Sequence, residues 1–101
     1  MSVNIEFSFR VSNVADEAQA QAVLAELKEL LGEERIADQV RLAVEGAGGA
    51  WFVVGDTDFP LIVSRSYLWR PKFEESLAWY AKEAAPAATV VVDWNYPDEE
   101  Y

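Results

Sequence analysis

Cysteine and histidine are both absent from this chain. Without cysteine there can be no disulfide, no thiolate nucleophile and no thiolate metal ligand. A secreted domain of this size usually needs disulfides, so their absence favours a reducing compartment. Without histidine the commonest general acid–base group at neutral pH is missing, and zinc loses both of its preferred ligand types. Basic residues are scarce: eight Lys and Arg stand against eighteen Asp and Glu, a net charge of −10. Phosphate backbones and anionic membranes attract cations, so neither nucleic acid nor a membrane surface is expected as a partner, and a basic protein is. Long apolar runs are lacking too. Val90-Val91-Val92 and the stretch 51–54 are far too short to cross a bilayer, and residues 1–6 lack the basic-then-apolar layout of a signal peptide. The expectation is a soluble, cytoplasmic protein.

What the chain does contain is apolar material. Hydrophobic residues make up 51% of its 101 residues, with four Trp, five Phe and four Tyr. That supports one folded core and leaves no room for a second. Residues 1–97 read as a single α+β domain and 98–101 as a short acidic tail.

Val3, Ile5, Phe7, Phe9 and Val11 alternate with polar residues, the period of a strand with one buried face. Ser12 or Asn13 is then placed to cap a helix over 14–31, whose apolar stripe is Ala20, Val23, Leu24, Leu27, Leu30 and Leu31, with Gly32 as its stop. Val40, Leu42 and Val44 alternate as a second strand, broken by the glycines of 46–49. A third strand is expected over 50–54, a turn over 55–58 and a fourth strand over 61–69. Pro71 suits the first turn of a second helix bearing Phe73, Leu77, Tyr80, Ala81 and Ala84, and a last strand follows over 88–95. The order β-α-β-β-β-α-β, with both helices on one face of a mainly antiparallel sheet, describes an α+β two-layer sandwich akin to a ferredoxin-like fold with an extra strand.

Catalytic equipment is thin. The six serines stand in no nucleophile motif, and the glycines of 46–49 have no lysine after them to make a phosphate loop. A carboxylate-only glycosidase would need a deep cleft, for which the chain is short. The expectation is a protein that is not an enzyme, with no cofactor and no metal. Asp56 and Asp58 lack the further ligands of a calcium loop and read as an ordinary turn.

Glu26, Glu29 and Glu33 form one ridge on the first helix, and Glu29, Glu33 and Glu34 crowd its negative end, against the helix dipole. The second helix obeys the dipole rule, with Glu74 and Glu75 early and Lys82 late. Trp79 lies off the apolar stripe of that helix, and Trp is enriched at binding hot spots. Asp98, Glu99 and Glu100 add acid in the tail. Glu26, Glu29, Glu33, Trp79 and Asp98, Glu99 and Glu100 are therefore the candidate partner-binding residues.

In size, acidity, missing catalytic residues and compact α+β build, the chain resembles the small acidic immunity or antitoxin proteins that neutralise bacterial toxins by direct binding. The resemblance implies a basic toxin or enzyme as partner, and it carries over no site residues. A self-associating structural or regulatory domain is the alternative, as monomer or homodimer. A small-molecule binder using the space between sheet and helices is a third reading.

Overall fold

The computed structural model describes residues 2–96. Five strands and two helices follow the expected order: β1 (Ser2–Val14), α1 (Glu17–Glu33), a 3₁₀ turn (Ala37–Gln39), β2 (Val40–Ala47), β3 (Ala50–Thr57), β4 (Leu61–Ser64), α2 (Ser66–Ala84) and β5 (Thr89–Asn95). All pairings are antiparallel. β2 pairs with β3, β3 with the later part of β1, and β5 with β1 from Glu6 to Ser12. β4 pairs with the first residues of β1, Ser2 to Ile5.

The alternation in β1 sets the layers. Ile5, Phe7, Phe9 and Val11 point inward and meet Val23, Leu27 and Leu31 of α1 and Phe73, Leu77 and Ala81 of α2 in one buried cluster. Both helices therefore cover the same face of the sheet, and their stripes at spacings of three and four fix which sides they bury. On the other face Ser8 and Arg10 meet solvent.

Local chemistry moves several boundaries. Asp16, not Ser12 or Asn13, caps α1: its carboxylate accepts from the Gln19 amide at 2.8 Å, and the Gln19 side chain accepts in return from the Ala15 amide at 2.7 Å. Asn13 instead sits at φ 60° where the register of β1 shifts against β3. Gly32 lies within the last turn of α1, and Arg35 takes the left-handed position at φ 62°. The Ile36 amide then reaches back to the Leu31 carbonyl at 3.0 Å and the Arg35 amide to that of Gly32 at 3.1 Å, a Schellman closure. Gly48 and Gly49, both at positive φ, make the two-residue turn between β2 and β3.

The expected turn over 55–58 is strand as far as Thr57, and the expected strand over 61–69 stops at Ser64. α2 starts at Ser66, so Pro71 lies inside the helix instead of in its first turn. The reason is tertiary. On a helix Trp69 and Phe73 are one turn apart, and their rings stack at 4.7 Å and 15° while Phe73 also lies 5.1 Å from Phe7. Pro71 has no amide to give the Tyr67 carbonyl, a loss made tolerable by the exposure of Tyr67 near the helix end.

Candidate functional site

The end of α1 meets α2 through two hydrogen bonds. The Tyr80 hydroxyl donates to the Glu33 carboxylate, and Trp69 Nε1 donates to Glu34 Oε1 at 2.9 Å. These donors explain how the negative end of α1 carries adjacent glutamates: each has a neutral donor from the neighbouring helix. Part of the misplaced acidity is therefore structural.

Glu26 is half-buried, and Glu29 and Glu33 are exposed. All three bear on Tyr80. Its phenol is pushed up to about 12, first by the bond to Glu33, then by desolvation and by the charges of Glu33, Glu29 and Glu26. Glu33 touches Tyr80 directly, and Glu29 and Glu26 bear on it through charge alone. Trp79, next in the chain to Tyr80, is 65% exposed and borders a shallow recess with Glu75 and Lys82. Asp98, Glu99 and Glu100 lie outside the described residues.

A pH dependence follows. A phenol whose folded pKa is raised contributes stability that is complete below its unfolded value near 10. That contribution is lost as pH rises through about 12. Thermal melts should therefore fall more steeply between pH 10 and 12 in the wild type than in Tyr80→Phe, with the two profiles parallel from pH 7 to 9. Parallel profiles across the whole range would mean that Tyr80 keeps no such bond in solution.

A second surface has no counterpart in the expected site. Four large apolar side chains stand exposed within ten residues: Phe59, Ile62, Tyr67 and Leu68. Phe59 and Ile62 line an open groove of about 640 Å³ together with Arg35, Ile36 and Trp69. The sequence does carry a signal here: residues 59–73 contain no acidic residue and three basic ones, Arg65, Arg70 and Lys72. Reading 61–69 as a single strand obscured it, because alternation would have turned half of these side chains inward.

On the helix-free face of the sheet, Arg10 and Arg41 are paired with neighbouring side chains. Arg10 lies 4.2 Å above the Phe52 ring. Arg41 holds both Asp56 at 3.1 Å and Asp58 at 2.6 Å, and these carboxylates raise its pKa, Asp56 foremost through its hydrogen bond. Asp56 and Asp58 are thus ligands of a guanidinium. Among the described residues no group of three or more acidic side chains is placed to hold a metal ion, and no helix is long and apolar enough to cross a membrane.

No family model matches the chain, and no curated protein sequence does. Among solved structures it is similar to a dimeric ferredoxin-like protein from an uncultured marine organism, with 8% identity, a TM-score of 0.59 and 97% of this chain and 99% of that one covered. It is also similar to the de novo designed protein Foldit4, at 17% identity and a TM-score of 0.57, covering 91% of this chain and 96% of that one. A designed protein with a ferredoxin fold is matched at 11% identity and a TM-score of 0.51, over 98% of this chain and 91% of that one. The fold is ferredoxin-like. At such identities the likeness carries the fold alone. The ferredoxin-like frame is β-α-β-β-α-β; here β3 pairs with Ser8–Val14 of β1 and β4 takes up the pairing at Ser2–Ile5 after a break at 58–60, so β4 prolongs β3 along β1, and the groove lies beside that prolongation.

Proposed function

We propose that this chain is a small acidic protein-binding module of the immunity or antitoxin type, which neutralises a basic toxin or enzyme by binding it directly in the cytoplasm. What supports this reading is the ridge of Glu26, Glu29 and Glu33 on α1, tied to α2 by the Glu33–Tyr80 bond, together with the exposed Trp79 of α2. Oriented carboxylates steer a basic partner and suppress wrong ones, and a rigid exposed indole supplies the anchor around which water is excluded. A net charge of −10 adds long-range attraction for such a partner and repels phosphate backbones. The small-molecule reading has less support. Between sheet and helices the space is filled by Ile5, Leu27, Phe73 and Leu77, all buried, and the recesses open at the surface.

The test is a charge reversal that spares the fold. Glu33 is unsuitable, because it accepts the Tyr80 hydroxyl. Glu26→Lys with Glu29→Lys moves the net charge by four units, from −10 to −6, and relieves part of the dipole conflict, worth about 0.3–1 kcal/mol for an exposed site. The melt should stay cooperative and shift little or slightly upward. Against a basic protein retained by the wild type from an extract of the native host, the variant should associate roughly 10-fold more slowly at low salt. Equal retention by both proteins would remove the ridge from the binding surface.

A further inference from the structure

We infer that the segment 59–68, which runs through β4 into the first turn of α2, is the contact through which two copies of this chain associate. This contact is distinct from the acidic ridge and does not rest on the partner-binding reading. Charge, exposed area and the position of the strand converge on a second copy as its occupant.

The first is charge. Two copies at −10 repel each other, so they can meet closely only where acid is scarce. Residues 59–68 contain no acidic residue and one basic residue, Arg65. Of the charged residues that line the groove, Glu34 is already bonded to Trp69 and Arg35 has the opposite sign. A basic partner, by contrast, would be drawn to the carboxylates elsewhere and would gain nothing from this stretch.

The second is area. Ile62 is 77% exposed, Tyr67 73%, and Phe59 and Leu68 each 49%. At roughly 200 Å² for a fully exposed large side chain, they total roughly 500 Å² of exposed surface along the segment, with Ile62 on the helix-free face of the sheet opposite Asn4, Tyr67 and Leu68 on α2, and Phe59 just before β4. A standard interface takes about 800 Å² from each partner, and in homodimers about 65% of it is apolar. A contact that wraps the β4 edge and takes in both sides of it would therefore find about the apolar share that one side of such an interface requires. Trp79 and Val91, the other large apolar side chains exposed among the described residues, stand on separate elements.

The third is the strand itself. β4 ends the path of paired strands, with β1 as its only sheet neighbour among the described residues. Leu61, Ile62, Val63 and Ser64 include none of the charges with which exposed edges usually discourage pairing. A two-fold arrangement would set the same short strand and the same side chains against each other.

The experiment is sedimentation of the full chain at micromolar to roughly 500 μM concentration, in low salt and in about 1 M salt, where the Debye length is about 3 Å. The expected result is a concentration-dependent species at twice the 11.3 kDa of one chain, strengthened by salt because the residual repulsion is screened. Ile62→Lys should weaken it by 10-fold or more, and its melt checks that this exposed position leaves the fold intact. Val91→Lys, on β5, should leave it unchanged or slightly tighter, since net negative charge falls. A wild type that stays monomeric in both salts would overturn the inference. So would a dimer that survives Ile62→Lys, or one lost equally in Val91→Lys. The salt response separates this result from the partner-binding reading, since attraction between the ridge and a basic protein weakens as salt rises.

Discussion

Phe73→Ala is expected to lower the unfolding free energy by about 3–5 kcal/mol, the cost of deleting a buried phenyl ring and leaving its space partly unfilled. Phe73 is 1% exposed. Its ring stacks on Trp69 at 4.7 Å, tilts against Phe7 at 5.1 Å and meets the edge of Trp94 at 6.2 Å. These rings tie α2 to β1 and β5, and aromatic pairs add about 0.5–1.5 kcal/mol each beyond the area they bury. Domains of this size have about 5–15 kcal/mol in total, so the variant should sit close to the edge of folding. Urea unfolding followed by tryptophan fluorescence would show the midpoint fall with little change in slope. Trp79→Ala, on the outer side of the same helix, should change stability by less than about 0.5 kcal/mol. A loss below about 1 kcal/mol for Phe73→Ala would mean that the aromatic cluster is not packed as described.

Gly55→Ala should cost about 1–3 kcal/mol through overpacking. Alanine in place of glycine ordinarily helps by reducing the freedom of the unfolded chain, by about 0.4–1 kcal/mol, so the sign itself is the test. Gly55 is buried in β3, opposite Phe9 of β1 on one side and Leu42 of β2 on the other. A Cβ at this position would stand 2.5 Å from Phe9 Cε2 and 3.0 Å from Leu42 Cδ2. The Phe9 ring cannot swing clear, because it is itself buried and stacked beside Phe7 at 6.3 Å. Adding Phe9→Leu to the Gly55→Ala variant should therefore cost less than the sum of the two single changes. Simple additivity in urea titrations would place the strain elsewhere.

The same glycine shows where local rules ran out. Gly55 followed by Asp56 reads as a turn, since both residues tolerate turn dihedrals. In the fold it is a strand glycine, required by the close approach of a ring 46 positions away in the chain. Pro71 misled in the same way. A proline favours the first helical position, yet α2 begins five residues earlier because Trp69 must reach Phe73 and Glu34. Patterns that depend on one face of one element were legible: the alternation of β1, the stripes of both helices and the order of elements.

The acidic ridge was legible for the same reason, since Glu26, Glu29 and Glu33 share a helical face whatever lies across from them. The partners of its last turn were not. Tyr80 and Trp69 come from a helix far along the chain, and they convert part of an apparent dipole conflict into bonded structure. The groove beside β4 escaped because one residue, Arg65 in the left-handed conformation at φ 55°, ends the strand and turns the next segment into helix.

The proposed capture of a basic protein by a patterned acidic surface is tested most directly by a rate. The association rate constant with the basic protein retained from the native host should be measured by stopped flow from about 20 mM to about 500 mM salt, for the wild type and for Glu26→Lys with Glu29→Lys. Steering lives in the long-range field, which salt screens over about 10 Å at 0.1 M. The predicted result is a steep fall of the wild-type rate with salt, a shallower one for the variant, and convergence of the two at high salt. A wild-type rate that is flat in salt and equal to that of the variant would contradict the account.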